Sequence, residues 1–343
     1  MIQTLKIVIP AAGYGTRMLP QTWSKPKPLI SVAGQTALDH LLASFSTIPA
    51  TLAVEYIIIY SPGLGEAQLP SFMQEHYPQL NVTYVLQPEM KGQSDALLLA
   101  RRHLQGPTII CFSDTLMETD FSFLAGERPQ GVAWVKSVPD PRRFGVTELN
   151  AAGWVTRLVE KPTSLKNNQV VIGCYYFNES LDLLSAIDEQ VRRGISINGE
   201  YFLTDAINIM IEHGLQMRTQ PVQVWLDTGT IPATLETNQY LLEHGKANHI
   251  QASDQGGVRI IPPVFIHPSA HLANSVIGPH VSIAADCTLT NARLENSILE
   301  AGVTLEAVAL KESFIGRHTR VQGRSMEDPP VKCNLGDNCS VVF

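Results

Sequence analysis

From Val264 onward, apolar residues return every five or six positions with small or polar residues between them, in segments such as "IHPSAH", "LANSV", "IGPHVS", "IAADCT", "ILEAGV" and "TLEAVA". That period matches neither the 3.6-residue repeat of an amphipathic helix nor the two-residue alternation of a hairpin strand. It matches a β-solenoid, whose short strands point aliphatic side chains inward on each face of a triangular prism and whose coils rest on one another. At about 18 residues per coil the tail would make roughly four coils, interrupted by the loop "RSMEDPP". An irregular antiparallel β arrangement is the alternative, because the repeat loosens in its middle.

Before residue 250 the pattern is different. Short apolar runs ("LKIVIPAA", "EYIIIYS", "NVTYVLQ", "TIICFSD", "GVAWVKSV", "VVIGCYYF", "VQVWLDTG") alternate with helical patterns ("TALDHLLASF", "SDALLLARRHL", "YFLTDAINIMIEHG"). This order predicts an α/β domain with a mainly parallel sheet covered by helices. The helix pattern "TIPATLETNQYLLEHGK" closes it, and the polar stretch "ANHIQASDQGG" reads as a linker. The expected organisation is therefore residues 1–245, a linker over 246–258, and a solenoid over 259–343.

With 25 Lys and Arg against 32 Asp and Glu, the net charge of −7 would repel a polyanion over most of the surface. Nucleic acid is excluded as a partner on that ground. No basic segment followed by an apolar one opens the chain, and no apolar run approaches the ~18 residues of a membrane span, so a cytoplasmic location with no membrane partner is expected. Cys111, Cys174, Cys287, Cys333 and Cys339 are scattered without a C-x-x-C pair, and read as reduced and structural.

The stretch "IPAAGYGTRMLPQTWSKPKPL" follows the first strand pattern, where a strand should hand over to a helix. Gly13 and Gly15 suggest the dinucleotide fingerprint G-x-G-x-x-G, but position 18 is Met18, so that fingerprint fails on spacing. What the stretch does supply is two glycines whose peptide N–H groups can approach an anion, with Thr16, the cation of Arg17 and, ten residues on, that of Lys27. Such a loop suits a triphosphate and the charge that develops on departing pyrophosphate. For G-x-G alone a plain glycine turn would be the better account; for the whole block it is not.

"GYGTRMLPQTWSKPKPL" resembles the signature G-x-G-T-R-x-x-P-x-T-x-x-x-x-K of the sugar-1-phosphate nucleotidylyltransferases, the NDP-sugar pyrophosphorylases. The resemblance continues in order through "QPEMKG", "FSDTLM", "FGV", "VEKP", "IGCYYF", "GEYFLTDAIN" and "WLDTGT", and the tail is similar to the left-handed parallel β-helix that many members carry. It implies a Rossmann-like three-layer nucleotidyltransferase domain. The chain departs from the family pattern after Lys27, where Ser31 stands in place of a usual proline and "ISVAGQT" replaces a G-K-P near Gly34.

What the resemblance implies can be placed residue by residue. Ala12, Gly13, Gly15, Thr16, Gln87 and Gly92 would bind the nucleotide, with the Gln87 amide and the Gly92 backbone reading the polar edge of the base. Gly145, Glu160, Lys161, Gly173 and Glu200 would bind the sugar phosphate. Arg17, Lys27, Asp114, Lys161 and Asp227 would carry the catalysis, with Asp114 and Asp227, at distant strand ends, converging to hold Mg²⁺.

Read without the resemblance, several of these have plainer accounts. Gln87-Pro88 is an ordinary strand terminus, Asp114 a helix N-cap, Glu160 and Lys161 an exposed ion pair, and Glu200 a helix cap. Glu160 and Lys161, adjacent on a strand, should face opposite ways unless Pro162 displaces one of them. His267, His271, His280 and His318 are the histidines an acetyltransferase site in the solenoid would need, and solvated turn residues are the plainer account.

The implied reaction is transfer of a nucleotidyl group, from dTTP or UTP in preference, to a sugar 1-phosphate, glucose 1-phosphate in preference, giving an NDP-sugar and pyrophosphate. The partners expected are the nucleoside triphosphate, the sugar 1-phosphate and further copies of the chain in a homo-oligomer. A non-catalytic NDP-sugar-binding regulator is the alternative from another class, together with a bifunctional enzyme carrying an added acetyltransferase site.

Overall fold

Leu5, Ile7, Val8 and Ile9 are all 1 % exposed or less, the mark of a strand covered on both faces of a sheet. They form the first strand in a computed structural model that describes residues 4–126, 129–248 and 257–343. The chain divides into two units, one made of Met1–Gly13 with Leu41–Trp225 and the other of Tyr14–His40 with Leu226–Phe343. The linker expected over 246–258 falls mostly on residues 249–256, outside the described ones.

In chain order the elements that build the first unit are β1 (Leu5–Pro10), α1 (Ala37–Ser44), which enters it at Leu41, β2 (Val54–Tyr60), α2 (Leu64–His76), β3 (Val82–Leu86) and α3 (Gln93–Leu99). They continue with β4 (Thr108–Cys111), β5 (Thr115–Glu118), β6 (Gly131–Ser137), β7 (Gly145–Leu149), β8 (Val155–Glu160) and β9 (Gln169–Phe177). α4 (Ser180–Arg193), α5 (Leu203–Glu212) and β10 (Met217–Pro221) follow, and β11 (Val224–Asp227) leads into the second unit.

The sheet order is β8–β7–β9–β4–β1–β2–β3, with β6 beside β9 and β10 beside β6. β1, β2, β3 and β4 are mutually parallel, as βαβ crossovers require, whereas β9 runs antiparallel to β4 and to β6. The α/β architecture is as expected, with a mixed sheet. One face, carrying Val8, Ile57, Ile110, Val135 and Tyr175, buries apolar residues of α3, α4 and α5. The other carries Trp134, whose ring lies 5.2 Å from Phe121, itself 5.6 Å from Phe45 just past α1. Period-two alternation along the strands feeds both cores.

The second unit holds the glycine-threonine-arginine loop and the tail. The expected handover from strand to helix does not occur. Three single-turn 3₁₀ segments, Thr16–Met18, Gln21–Trp23 and Lys27–Leu29, take its place, and among the described residues no α-helix begins before Ala37. Pro20, Pro26 and Pro28 account for this, since each removes a peptide N–H that a longer helix would need. After the loop, Ser31–Val32 and Gln35–Thr36 pair as a tight hairpin turning on Ala33 (φ 46°) and Gly34 (φ 80°). α6 (Ile231–Leu241) is capped by Thr230, which accepts from the Ala233 N–H. Ile231 and Leu235 of α6 share a core with Met18, Ile30, Ile298 and Phe314.

The tail is a parallel β-helix. Val264 lies beside Val281, Val281 beside Ser297 and Phe314 beside Asn334, so coils take 17, 16 and 20 residues rather than about 18. The longest coil is the one that accommodates the "RSMEDPP" loop. Left-handed residues stack in columns at the corners: Asp286, Gly302, His318 and Asn338 in one, His280, Asn296 and Glu312 in a second, Asn274, Asn291 and Ala307 in a third. Asn, Asp, His and Gly tolerate that conformation, which explains the polar spacers of the repeat. Among the described residues no helix is long and apolar enough to cross a membrane.

Candidate active site

β3 ends at Leu86 and hands over to Gln87, which is buried. Its Nε2 donates to Asp95 Oδ2 at 2.9 Å and to the Gly92 carbonyl at 3.2 Å, and its peptide N–H donates to Tyr60 O at 2.8 Å. Gln87 is thus the organising side chain of its loop rather than an ordinary strand terminus, with Oε1 as the end that can accept a hydrogen bond from a ligand. Gly92 has φ 99°, and a Cβ there would lie 2.4 Å from the Tyr201 carbonyl oxygen. Only glycine permits that approach, which lets Tyr201 N–H donate to Lys91 O at 2.8 Å and holds the loop against the segment before α5.

Asp114 lies half-buried in the turn between β4 and β5. A strand follows it, so the helix-capping account is excluded. The turn is fixed against β9, where Phe112 N–H donates to Gly173 O at 2.9 Å and Thr115 Oγ1 donates to Ile172 O at 2.6 Å. Gly173 (φ 83°) sits where the register of β9 against β6 shifts, and a Cβ there would lie 2.6 Å from the Phe112 ring. Its missing side chain thus makes room for Phe112.

β8 ends at Glu160, and Lys161 takes φ 46°, left-handed, with its N–H donating to Phe144 O at 2.9 Å. The displacement expected from Pro162 falls on Lys161, a strained conformation of the kind concentrated at functional sites. Its ammonium lies 5.2 Å from the Phe202 ring centroid. Burial raises Glu160 above its ordinary value; Lys161 pulls it back down, and Asp205 adds a smaller upward push. A Cβ on Gly145 would come within 3.1 Å of Glu160 Oε2 and 3.4 Å of Thr204 Cγ2, so glycine keeps open the space in front of that carboxylate.

Asp205 Oδ2 is buried without a hydrogen-bond partner, and Thr204 lies beside the Glu160 carboxylate. Neither was singled out from sequence, although both lie inside "GEYFLTDAIN". A buried polar atom left without a partner is one that a polyol ligand could satisfy. Glu200 is exposed, its peptide bonded both ways to Ile197; α5 starts at Leu203, with Phe202 at its N-cap and no side-chain cap, so Glu200 does not cap it.

In the second unit Gly15 (φ 62°) precedes the Thr16–Met18 turn, and Thr22 Oγ1 donates to its carbonyl at 2.8 Å. A Cβ at Gly15 would meet Thr22 Cγ2 at 2.8 Å, whereas Gly13, in the first unit after buried Ala12, has open space above it. Thr16 and Arg17 are exposed and Lys27 is half-buried. Asp227 ends β11, its Oδ1 accepting from Gly229 N–H at 2.7 Å and its carbonyl from Thr237 Oγ1 at 2.8 Å. Sequence reading passed over Lys25, which is fully buried and paired with Glu300 and Asp337 of the β-helix.

Among the described residues no group of three or more His, Cys, Asp or Glu side chains gathers as a metal site. The donors proposed from sequence do suit a hard divalent cation in kind. Asp114 and Asp227 are carboxylates, and Mg²⁺ is commonly held by one or two carboxylates with substrate phosphates and water. Asp114 belongs to the first unit and Asp227 to the second. The five cysteines are free, with Cys111, Cys174 and Cys287 buried; burial pushes the Cys174 thiol well up and keeps it inert.

A parallel-stranded α/β core, a glycine-threonine-arginine loop and loops that open at the strand ends define a nucleotidyltransferase-type protein. A family model described as nucleotidyl transferase matches residues 6–244, and the chain belongs to that family of enzymes. It is 27% identical over 358 residues to a glucose-1-phosphate thymidylyltransferase of Streptomyces griseus, covering 97% of this chain and 98% of the relative. To the enzyme of the same name from Streptomyces antibioticus it is 28% identical over 367 residues, covering 98% and 99%. A solved UDP-glucose pyrophosphorylase complexed with UDP-glucose superposes with a TM-score of 0.59 at 19% identity, covering 71% of this chain and all of that one, and shares the fold.

Proposed function

We propose that the protein transfers a nucleotidyl group from dTTP or UTP to a sugar 1-phosphate, glucose 1-phosphate in preference. An oxygen of the sugar phosphate attacks the α-phosphorus in line, the bond to the β-phosphate oxygen breaks, and pyrophosphate leaves. The observation that carries this reading is the Gly13–Lys27 stretch, which supplies Gly13, Gly15, Thr16, Arg17 and Lys27 in one short run of sequence. It is supported by full-length likeness to two enzymes named for thymidylyl transfer to glucose 1-phosphate.

Arg17 and Lys27 neutralise the β- and γ-phosphates, Lys161 holds the sugar phosphate, and Glu160 with Glu200 bind hexose hydroxyls. Gln87 spends its amide hydrogens inside the loop, so its Oε1 suits a base that offers a ring N–H, as thymine and uracil do; the Gly92 backbone completes the contact. Mg²⁺, held by Asp114 and Asp227, would neutralise charge on the reacting phosphates. The test is pyrophosphate release with four nucleoside triphosphates against a series of sugar 1-phosphates. Release with a thymidine or uridine triphosphate and a hexose 1-phosphate is expected. Tight NDP-sugar binding with no turnover in any combination would favour a regulator.

A further inference from the structure

Lys25 is 0 % exposed, and it sits two residues before Lys27 in the loop that the proposed reaction assigns to the triphosphate. A buried ammonium is costly unless it is paired and hydrogen-bonded, and an apolar side chain of similar volume would fill the space at less cost. Its partners come from β-helix coils 275 and 312 residues away in sequence. Lys25 Nζ bonds Glu300 Oε2 and, at 3.0 Å, Asp337 Oδ1. Arg317 closes the group, its Nε 3.7 Å from Glu300 and 3.6 Å from Asp337, so two cations face two carboxylates.

The rest of the loop is tied to the same coils. Ser24 Oγ donates to Asp337 Oδ2 at 2.6 Å, and Gln21 Nε2 donates to the carbonyls of Phe314 at 2.9 Å and Leu335 at 3.0 Å. Ser31, where the family pattern has proline, offers its peptide N–H to Glu300 Oε1 at 3.4 Å. These contacts bracket Lys27, Met18 beside Arg17 packs in one core with Ile298 and Phe314 of the β-helix, and Pro26 (φ −67°, ψ 147°) stiffens the link from Lys25 to Lys27.

We propose that Lys25 is a positioning residue, and that the cluster Lys25–Glu300–Asp337–Arg317 makes the β-helix a brace holding Arg17 and Lys27 in a fixed geometry for a triphosphate. The inference rests on the triphosphate role of those two cations. Fixed cations stabilise departing pyrophosphate without reorganising at the moment of reaction, whereas the same side chains on a loose loop must first be ordered.

The test compares wild type with Lys25→Met, Glu300→Gln and the double variant, which leaves Asp337 and Arg317 as a balanced pair. Binding of inorganic triphosphate is read by calorimetry, amide exchange over residues 17–31 reports loop order, and thermal melts identify folded variants. The double variant is expected to stay folded, to lose amide protection over 17–31 and to bind inorganic triphosphate at least tenfold more weakly. kcat/KM for the nucleoside triphosphate should fall in step, with KM for the sugar 1-phosphate unchanged. A folded double variant that binds inorganic triphosphate as wild type does, or a wild type that does not bind it, overturns the brace. If no sugar 1-phosphate is accepted yet the tenfold loss is seen, the proposed reaction fails and the brace stands.

Discussion

Asp114 is held in a turn whose flanking residues Phe112 and Thr115 are bonded to β9, and a strand, not a helix, follows it. Asp114→Asn keeps the shape and removes the charge proposed to hold Mg²⁺. Turnover should drop by two or more orders of magnitude, about 3 kcal/mol of transition-state stabilisation, with folding intact. Pyrophosphate release measured against Mg²⁺ concentration checks this, and near-normal turnover with an unchanged metal requirement would remove Asp114 from the metal site. Glu160 makes a second case. Burial and Asp205 raise it above its ordinary 4.5, so the folded state favours its neutral form. That contribution is fully present below pH 4.5 and is lost as pH rises through the folded value. Glu160→Gln should therefore melt higher than wild type at pH 7, with the gap closing as pH falls toward 4.5, while KM for the sugar 1-phosphate rises roughly tenfold.

At the scale of elements, the β-helix corners show how composition becomes structure. Asn, Asp, His and Gly supply most corner residues, but Ala307 adopts φ 49° without a side chain that helps. A left-handed alanine costs roughly 1–2 kcal/mol. Ala307→Gly should raise stability by about 0.5–1 kcal/mol, because glycine's greater freedom in the unfolded chain offsets part of the relief. A denaturant titration of the two proteins reads the difference, and a lower midpoint for the variant would refute it. His280 and His318 occupy corners too, and His280 Nε2 bonds Glu243 at 2.8 Å. A tail of roughly four coils offers little groove length for coenzyme A, so incubation with acetyl-coenzyme A and an amino sugar phosphate should give no acetyl transfer.

Across the whole molecule, a solenoid exposes strand edges and aliphatic rows along its sides, and self-association is the low-cost way to cover them. A homo-oligomer is expected at micromolar concentration by light scattering; a monomer there would count against it. The division of the chain has a consequence for any truncation that removes the tail. Residues 14–40 belong to the same unit as the β-helix, and Met18 and Ile30 share a core with Ile298 and Phe314. The tail is thus part of what shapes the loop.

Local chemistry made much of this protein legible from sequence. β-branched runs announced the strands of the first sheet, the six-residue period announced the β-helix, and the Gly13–Lys27 stretch announced the family, because each signal lies within a short window. The helix Leu64–His76 was not seen, since Pro70 interrupts its apolar spacing, and neither was the hairpin of β7 and β8, whose outward residues are polar. The conversion of an expected helix after Gly15 into three 3₁₀ turns follows from the prolines, yet needed the folded loop to be seen. Thr204, Asp205 and Lys25 carry no motif of their own. Their roles were decided by neighbours brought from other parts of the chain: Glu160 beside Thr204 and Asp205, Glu300 and Asp337 around Lys25. Burial is what makes an unpaired or paired polar group matter, and burial is a property of tertiary structure alone.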